Sequence, residues 1–144
     1  MIIRKADLSD TTVLACLSIK LWPDHTLEEM IEEFRSFLSD DNAALFLAEE
    51  EAAVGFAQCQ LRYDYVEGTQ SSPVGYLEGI FVEETFRNRG CARELLAACQ
   101  AWAKERGCSE FASDCELDNR ASLSFHLSMG FEEANRIICF TKKL

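Results

Sequence analysis

The chain has few basic residues, few prolines and histidines, and no long apolar run. Its 14 Lys and Arg are opposed by 25 Asp and Glu, which gives a formal net charge of −11 at pH 7. A protein this acidic is a poor partner for nucleic acid or for an anionic membrane. No apolar stretch approaches a membrane span of about 20 residues, and residues 1–5 do not open a signal peptide. We therefore expect no nucleic-acid partner and no membrane partner.

The cysteines argue against a disulfide framework and against a metal site. Seven cysteines is an odd number, no two are spaced as C-x-x-C, and the chain has only two histidines. Disulfide-rich and zinc-binding domains carry these residues in pairs at fixed spacings. We therefore expect free thiols, no bound metal and a reducing, cytoplasmic location.

The residues that are present suffice for one packed domain. A length of 144 residues with 48% hydrophobic content predicts a single domain over residues 1–144. The hydrophobic periodicity predicts an α/β fold. The predicted strands are 2–4, 44–49, 53–62, 74–82, 111–115 and a terminal pair at 131–134 and 136–142, and the clearest predicted helices follow Thr26 and span 91–106 and 120–129.

The most informative segment is an arginine-rich turn between a buried strand and an amphipathic helix. Gly90 in this turn allows close backbone approach, and Arg87, Arg89 and Arg93 supply positive charge. The first turn of a helix also offers backbone N–H groups without partners. The segment therefore predicts a cradle for a diphosphate, although a solvated helix start is the alternative interpretation.

Two blocks in this order resemble the GNAT family of N-acetyltransferases. The first is R-x-x-G-x-A from Arg87, which follows the strand ending at Val82, and the second is the N-x-x-A-like segment running from Asn119 to Gly130-Phe131. The resemblance covers essentially the whole chain. It implies a mixed, mostly antiparallel central sheet that is splayed at strands 4 and 5 and flanked by about four helices.

The same resemblance implies acetyl-coenzyme A as co-substrate and no metal. In that family, backbone groups of the strand before the turn hold the pantetheine and the thioester, a role that falls here to Ile80, Phe81 and Val82. Asn119 would bind the cofactor from the later helix. The pyrophosphate would lie on the run Asn88, Arg89, Gly90, Cys91, Ala92 and Arg93.

Two carboxylates at strand positions are candidates for the base that deprotonates the amine. Glu78 stands in an otherwise apolar strand, where burial without a partner is costly, so either catalysis or a salt bridge to an Arg at the core edge explains it. Asp114 ends the next predicted strand, and a role as a cap or turn residue is its alternative.

Widely separated blocks resemble one branch of the family, the aminoglycoside 6′-N-acetyltransferases. They are Leu21-Trp22-Pro23-x-His25, Asp64-Tyr65-Val66-x-Gly68, Ser71-Ser72-Pro73, Leu77–Val82 and Ala112–Asp114. The branch implies direct acetyl transfer in a ternary complex, antibiotic resistance and frequent homodimers. Its acceptor site matches Trp22, His25, Tyr65, Glu78 and Asp114 here.

The chain departs from the family pattern at two positions. His126 stands where family members often carry a Tyr that protonates the leaving thiolate, so a structural imidazole is an equal alternative. Asn135 stands where the branch often has an acidic residue, which predicts a weaker substrate contact there. Other acceptors, such as a polyamine or a protein amine, and a non-catalytic coenzyme A-binding module stay open as alternatives.

Overall fold

A five-stranded sheet forms the centre of the computed structural model, which describes residues 1–144. The strands lie side by side in chain order, the first four antiparallel and the fifth parallel to the fourth. They are β1 (Ile2–Lys5), β2 (Ala43–Glu49), β3 (Ala53–Arg62), β4 (Val74–Val82) and β5 (Phe111–Ala112). The helices are α1 (Thr11–Leu21), α2 (Leu27–Leu38), α3 (Cys91–Glu105) and α4 (Arg120–Ser128). This architecture confirms the expected α/β fold with four helices.

Each face of the sheet carries its own apolar core. On one face α3 packs on the sheet, and its buried residues include Leu95, Cys99 and Trp102. On the other face α1 and α2 cover the sheet, where Phe34 and Phe56 meet edge to face with their ring centroids 6.0 Å apart. The predicted helix start is confirmed at α2, where the side chain of Thr26 accepts from the backbone N–H of Glu29.

The strands β4 and β5 separate almost as soon as they meet. They pair only at Gly75 with Phe111 and at Tyr76 with Ala112, so β4 has no neighbour on this side from Leu77 onward. A β-bulge sits at the same level, because Gly79 pairs with Gln58 while Leu77 pairs with the next residue of β3. The bulge leaves Glu78 as the extra residue of β4. The expected splay is confirmed, and the bulge lies at its start.

The sequence prediction is wrong for the end of the chain. β5 covers two residues instead of 111–115, and neither 131–134 nor 136–142 forms a strand. Ile137, Ile138 and Phe140 are 67%, 80% and 88% exposed. Alternating apolar residues favour an extended segment, but a strand also needs a free edge to pair with, and none within this chain receives it.

All seven cysteines are free thiols. Cys59 and Cys99 are buried, whereas Cys16 and Cys139 are exposed. No helix combines the length and the apolar character that a membrane crossing requires.

Candidate active site

The Glu78 carboxylate is bound by a single guanidinium. Arg62, the last residue of β3, donates from Nη2 to Oε1 at 2.8 Å and to Oε2 at 3.1 Å, and from Nε to Oε1 at 3.1 Å. The side chain of Glu78 is 21% exposed and that of Arg62 is 38% exposed. The salt bridge considered as an alternative for Glu78 therefore exists. It pairs the half-buried carboxylate with a cation, which is compatible with a catalytic role.

Asp114 joins the same cluster through Tyr76. The guanidinium carbon of Arg62 lies 3.4 Å from the centre of the Tyr76 ring, and the Tyr76 hydroxyl donates to Oδ2 of Asp114. Both candidate bases are thus linked through one cation and one aromatic ring. The two carboxylates lie where β4 and β5 part.

Burial raises the pKa values of Glu78 and Tyr76. Burial raises the pKa of Glu78 above its ordinary range, and the Arg62 guanidinium opposes part of that rise. Burial together with the Asp114 carboxylate raises the pKa of Tyr76 far above its usual value, so the phenol remains a hydrogen-bond donor. A carboxylate with a raised pKa is a stronger base than an exposed one, as proton abstraction from an ammonium requires.

Trp22 packs directly against the bulge. A Cβ placed on Gly79 would lie 2.6 Å from ring atoms Cη2 and Cζ2 of Trp22, so only glycine fits beside the indole. The ring also meets Phe56 edge to face, with centroids 6.1 Å apart. The structure therefore places Trp22 against Gly79, the residue that follows Glu78.

The other expected acceptor residues lie in exposed connections. Tyr65 is 75% exposed in the segment between β3 and β4, and His25 follows α1, with Nδ1 3.3 Å from Oε2 of Glu29. Asn135 donates to Oε1 of Glu67 at 2.9 Å, which ties the C-terminal segment to the Tyr65 connection. No hydrogen bond joins Tyr65, His25 or Asn135 to the two carboxylates.

The unpaired edge of β4 can hold an extended acetyl donor. Ile80, Phe81 and Val82 belong to the part of β4 that has no β5 partner, so an extended ligand with amide groups can pair with this edge. This region adjoins the bulge and therefore the carboxylates. The thioester of a ligand held here would lie near Glu78.

The start of α3 fits a diphosphate. Gly90 adopts a φ of +83° at the N-terminus, and no atom lies within 4 Å of the position that a Cβ would take. No side chain caps this helix, and its first internal bond runs from the Glu94 N–H to the Gly90 carbonyl. The N–H groups of Cys91, Ala92 and Arg93 are therefore available to an anion.

The arginines around that turn divide into two groups. Arg87 donates from Nε to the carbonyl of Val82 at 2.8 Å, which fixes the turn to β4. Arg89 and Arg93 form no salt bridge and so can supply charge to a ligand. Asn88 takes a left-handed φ of 61°. Asn119 caps α4 by accepting from the Ser122 N–H at 3.0 Å, which leaves its amide Nδ2 as the group that could reach a cofactor.

No cluster of three or more His, Cys, Asp or Glu side chains is arranged to hold a metal ion. The unpaired edge of β4 suits an extended amide chain, the start of α3 suits a diphosphate, and the carboxylates suit a cation.

A family profile, Acetyltransferase (GNAT) family, matches residues 8–131. The chain belongs to the GNAT acetyltransferases. The aminoglycoside N(6')-acetyltransferase type 1 of Stenotrophomonas maltophilia is 42% identical over 99% of this chain and 93% of its own length. The enzyme of that name from Acinetobacter baumannii is 40% identical over 100% and 97%.

Solved structures agree with this GNAT assignment. AAC(6')-Iy in complex with the bisubstrate analogue CoA-S-monomethyl-acetylneamine superposes with a TM-score of 0.95 at 40% identity, over 99% of this chain and 98% of that one. The aminoglycoside 6'-N-acetyltransferase AAC(6')-Ih from Acinetobacter baumannii gives 0.94 at 36% identity, over 99% and 98%. The resemblance to the aminoglycoside branch is confirmed.

Sequence reasoning missed two polar residues of the GNAT site, namely Arg62 and Tyr76. Tyr76 lies two residues before Glu78, so the period of a strand placed both on one face and was the available signal. Arg62 carries no motif of its own. Only the pairing of β3 with β4 brings it to the site.

Proposed function

We propose that this chain transfers an acetyl group from acetyl-coenzyme A to the 6′-amino group of aminoglycosides, directly and within a ternary complex. The observation that carries the proposal is the pair Glu78 and Asp114, linked through Arg62 and Tyr76 at the point where β4 leaves β5. The carboxylates that would receive the acceptor amine therefore lie beside the β4 edge that would hold the acetyl donor.

The donor is held by the β4 edge and the start of α3. Backbone groups of Ile80, Phe81 and Val82 pair with the pantetheine and polarise the thioester carbonyl. The pyrophosphate lies on the run Asn88, Arg89, Gly90, Cys91, Ala92 and Arg93, with Asn119 contributing from α4. Acetyl-coenzyme A supplies the activated acetyl group.

The acceptor amine loses its proton to the carboxylate cluster. Glu78 or Asp114 takes that proton, directly or through water, and the other carboxylate holds a second ammonium. Trp22 and Tyr65 offer ring faces to sugars and ammonium groups. His25 and Asn135 complete the acceptor site in this proposal.

Multiple charges on the acceptor favour an aminoglycoside over a monoamine. One charge pair at about 4 Å is worth roughly 1 kcal/mol in water and about 4 kcal/mol at a partly shielded site. A ligand with several ammonium groups adds such pairs, and the exposed Asp114 remains open to one of them. A polyamine also carries several charges and is the second candidate acceptor.

The test is release of coenzyme A from acetyl-coenzyme A by the purified chain. We compare a 6′-amino aminoglycoside with its 6′-hydroxyl counterpart and with spermidine. Turnover with the 6′-amine alone supports the proposal, and turnover with spermidine alone replaces the acceptor. Coenzyme A binding without turnover on any amine would favour a non-catalytic module.

We further propose that residues 1–144 act as one catalytic domain and associate as a homodimer through the C-terminal segment. The exposed side chains of Ile137, Ile138 and Phe140 support this, since apolar residues of this size are usually covered. Light scattering tests it: an Ile138→Lys, Phe140→Lys variant should halve the mass of the wild type. A monomeric wild type contradicts it.

The same proposal places the enzyme in the cytoplasm, where it would confer aminoglycoside resistance. Seven free thiols support a reducing compartment. Cell fractionation checks the location, and the inhibitory aminoglycoside concentration for cells with and without the gene checks the resistance.

A further inference from the structure

Ser113, the residue directly after β5, forms a hydrogen-bonded pair with His126, and Asp114 follows Ser113 in the chain. Nε2 of His126 lies 2.7 Å from Oγ of Ser113, and its Nδ1 lies 2.7 Å from the carbonyl oxygen of Ser122. A carbonyl can only accept, so Nδ1 carries a hydrogen. The other ring nitrogen, Nε2, faces the serine hydroxyl.

The imidazole is held in one orientation by its aromatic neighbours. The ring packs against Phe131 at 5.1 Å and against Phe125 at 5.7 Å between centroids, in both cases edge to face. Together with the Nδ1 bond to α4, these contacts fix where Nε2 points. A fixed imidazole loses little freedom when it passes a proton to one partner.

The Ser113 hydroxyl lies in the opening between the two strands. Ser113 is the first residue after the last β4–β5 pair, and its Oγ lies 3.4 Å from the carbonyl oxygen of Leu77, the first unpaired residue of β4. A donor running along Ile80–Val82 with its thioester near Glu78 has its sulfur beside this opening. Ser113 and Asp114 are adjacent, so one faces the leaving group and the other faces the acceptor.

We propose, on the basis of the acetyl transfer proposed above, that Ser113 gives a proton to the departing thiolate and that His126 resupplies it. Ser113 is the catalytic residue, and His126 is a positioning residue that acts through it. The pair fills the role that the family commonly gives to a tyrosine at the position of His126, and it adds a residue from another element.

The protons of this step balance. The C–N bond forms as the amine attacks the thioester carbonyl and the C–S bond breaks. The amine proton passes to Glu78 or Asp114, and the sulfur takes the hydroxyl proton of Ser113. The Nε2 proton of imidazolium His126 replaces it on Oγ, which leaves a neutral imidazole that regains a proton from solvent. Only the imidazolium form of His126 donates a hydrogen bond from Nε2 to Oγ of Ser113. The serine hydroxyl is then free to point its own hydrogen into the opening between β4 and β5.

The first test compares two donors on the variants Ser113→Ala and His126→Gln. With acetyl-coenzyme A, we expect kcat to fall about 100-fold in Ser113→Ala, within the range usual for loss of a general acid. The selenoester of coenzyme A releases a weaker base, which leaves without protonation, so the loss there should shrink to about twofold. An equal loss with both donors would show a structural role and overturn the proposal, as would no loss with acetyl-coenzyme A.

Three further variants separate chemistry from folding. Ser113→Thr keeps the hydroxyl and should recover most of kcat. The double variant Ser113→Ala, His126→Gln should lose no more than Ser113→Ala, because the two residues act in series. Ser128→Ala, on the same helix with its hydroxyl bonded to the Phe125 carbonyl, is the matched control and should behave as the wild type. Additive losses in the double variant would overturn the relay.

A failure of the Ser113–His126 relay can be told apart from a failure of the proposed function. If the wild type acetylates no amine, the acceptor assignment fails. The donor comparison is then made on hydrolysis of acetyl-coenzyme A, which expels the same thiolate with water as acceptor. A donor-dependent loss in Ser113→Ala supports the relay in either reaction.

Discussion

Arg62 binds both carboxylate oxygens of Glu78, with Nη2 at 2.8 Å and 3.1 Å. The free enzyme thus carries a cation at the place where the substrate ammonium is expected. An incoming ammonium must share the carboxylate with this guanidinium or displace it. This relationship affects both the affinity for the acceptor and the pH at which Glu78 can act as a base.

Removing Arg62 should move the acidic limb of the pH profile upward. In Arg62→Gln the guanidinium no longer opposes the effect of burial, so the pKa of Glu78 rises further. An opposite charge within hydrogen-bond distance favours the ionised carboxylate, and this effect is lost in the variant. In kcat/KM for the acceptor, we therefore expect the half-maximal point of this limb to move to higher pH. Arg35→Gln, which removes an exposed arginine of α2, is the control. A limb that stays in place or moves down excludes Glu78 as the titrating base.

Replacing the catalytic carboxylate should lower kcat/KM more than removing the Tyr76 hydroxyl does. Glu78→Gln and Asp114→Asn remove candidate bases, and we expect kcat/KM to fall about 100-fold or more in the variant that lacks the proton acceptor. Tyr76→Phe removes only the hydroxyl that orients Asp114, which corresponds to about 1.5 kcal/mol or roughly tenfold. Steady-state kinetics measures these losses in kcat/KM. The unfolding temperature of each variant is compared with that of the wild type to show that the variant folds. Wild-type kcat/KM in both carboxylate variants contradicts the site assignment.

Arg89 should act on the donor alone. It forms no salt bridge and lies beside the uncapped start of α3, with its guanidinium carbon 5.3 Å from the Phe86 ring. In Arg89→Ala we expect the KM for acetyl-coenzyme A to rise about tenfold, the usual effect of one charge-assisted hydrogen bond. The ratio of kcat/KM between two acceptors should stay constant. A changed acceptor ratio with an unchanged donor KM refutes this role.

Acid should weaken the fold through Asp10. Arg4 donates to both oxygens of this buried carboxylate, at 2.8 Å and 2.7 Å, and lowers its pKa below the usual range. Such a group stabilises the folded state above its unfolded pKa of about 3.9, and this contribution is lost as pH falls through the lower folded pKa. In urea unfolding, Asp10→Asn should cost about 1–3 kcal/mol at pH 7 and less below pH ~4.

The exposed substitution Glu32→Gln provides the comparison for Asp10. It should leave the free energy of unfolding within about 0.5 kcal/mol at both pH values. If Asp10→Asn costs as much in acid as at pH 7, the Arg4 pair is not the source of the pH dependence.

The sequence predicted most elements because each has a local signal. The cap at Thr26, the glycine at position 90 and the apolar stripe of α3 fix helix positions without reference to the rest of the chain. The end of the chain behaves differently. Its apolar residues predict a strand, but whether it pairs depends on a partner edge that no local pattern specifies.

The residues of the candidate site also divide into those with a local sequence signal and those whose role depends on a distant partner. Glu78 stands out as an acid in an apolar strand, and the Gly90 turn is recognised from its own residues. Arg62 is an ordinary strand end until β3 pairs with β4, and Ser113 is an ordinary serine until α4 brings His126 to it. Contacts between distant segments create these roles.

The early separation of β4 and β5 leaves an edge of β4 without a strand partner in the free chain. The amide groups of an extended acetyl donor would pair with this edge as a further strand does in other sheets. Loading the donor is then comparable to the last step of folding, and it builds one wall of the acceptor pocket. An aminoglycoside that arrived first would meet an incomplete pocket, so we expect the acetyl donor to bind before the acceptor.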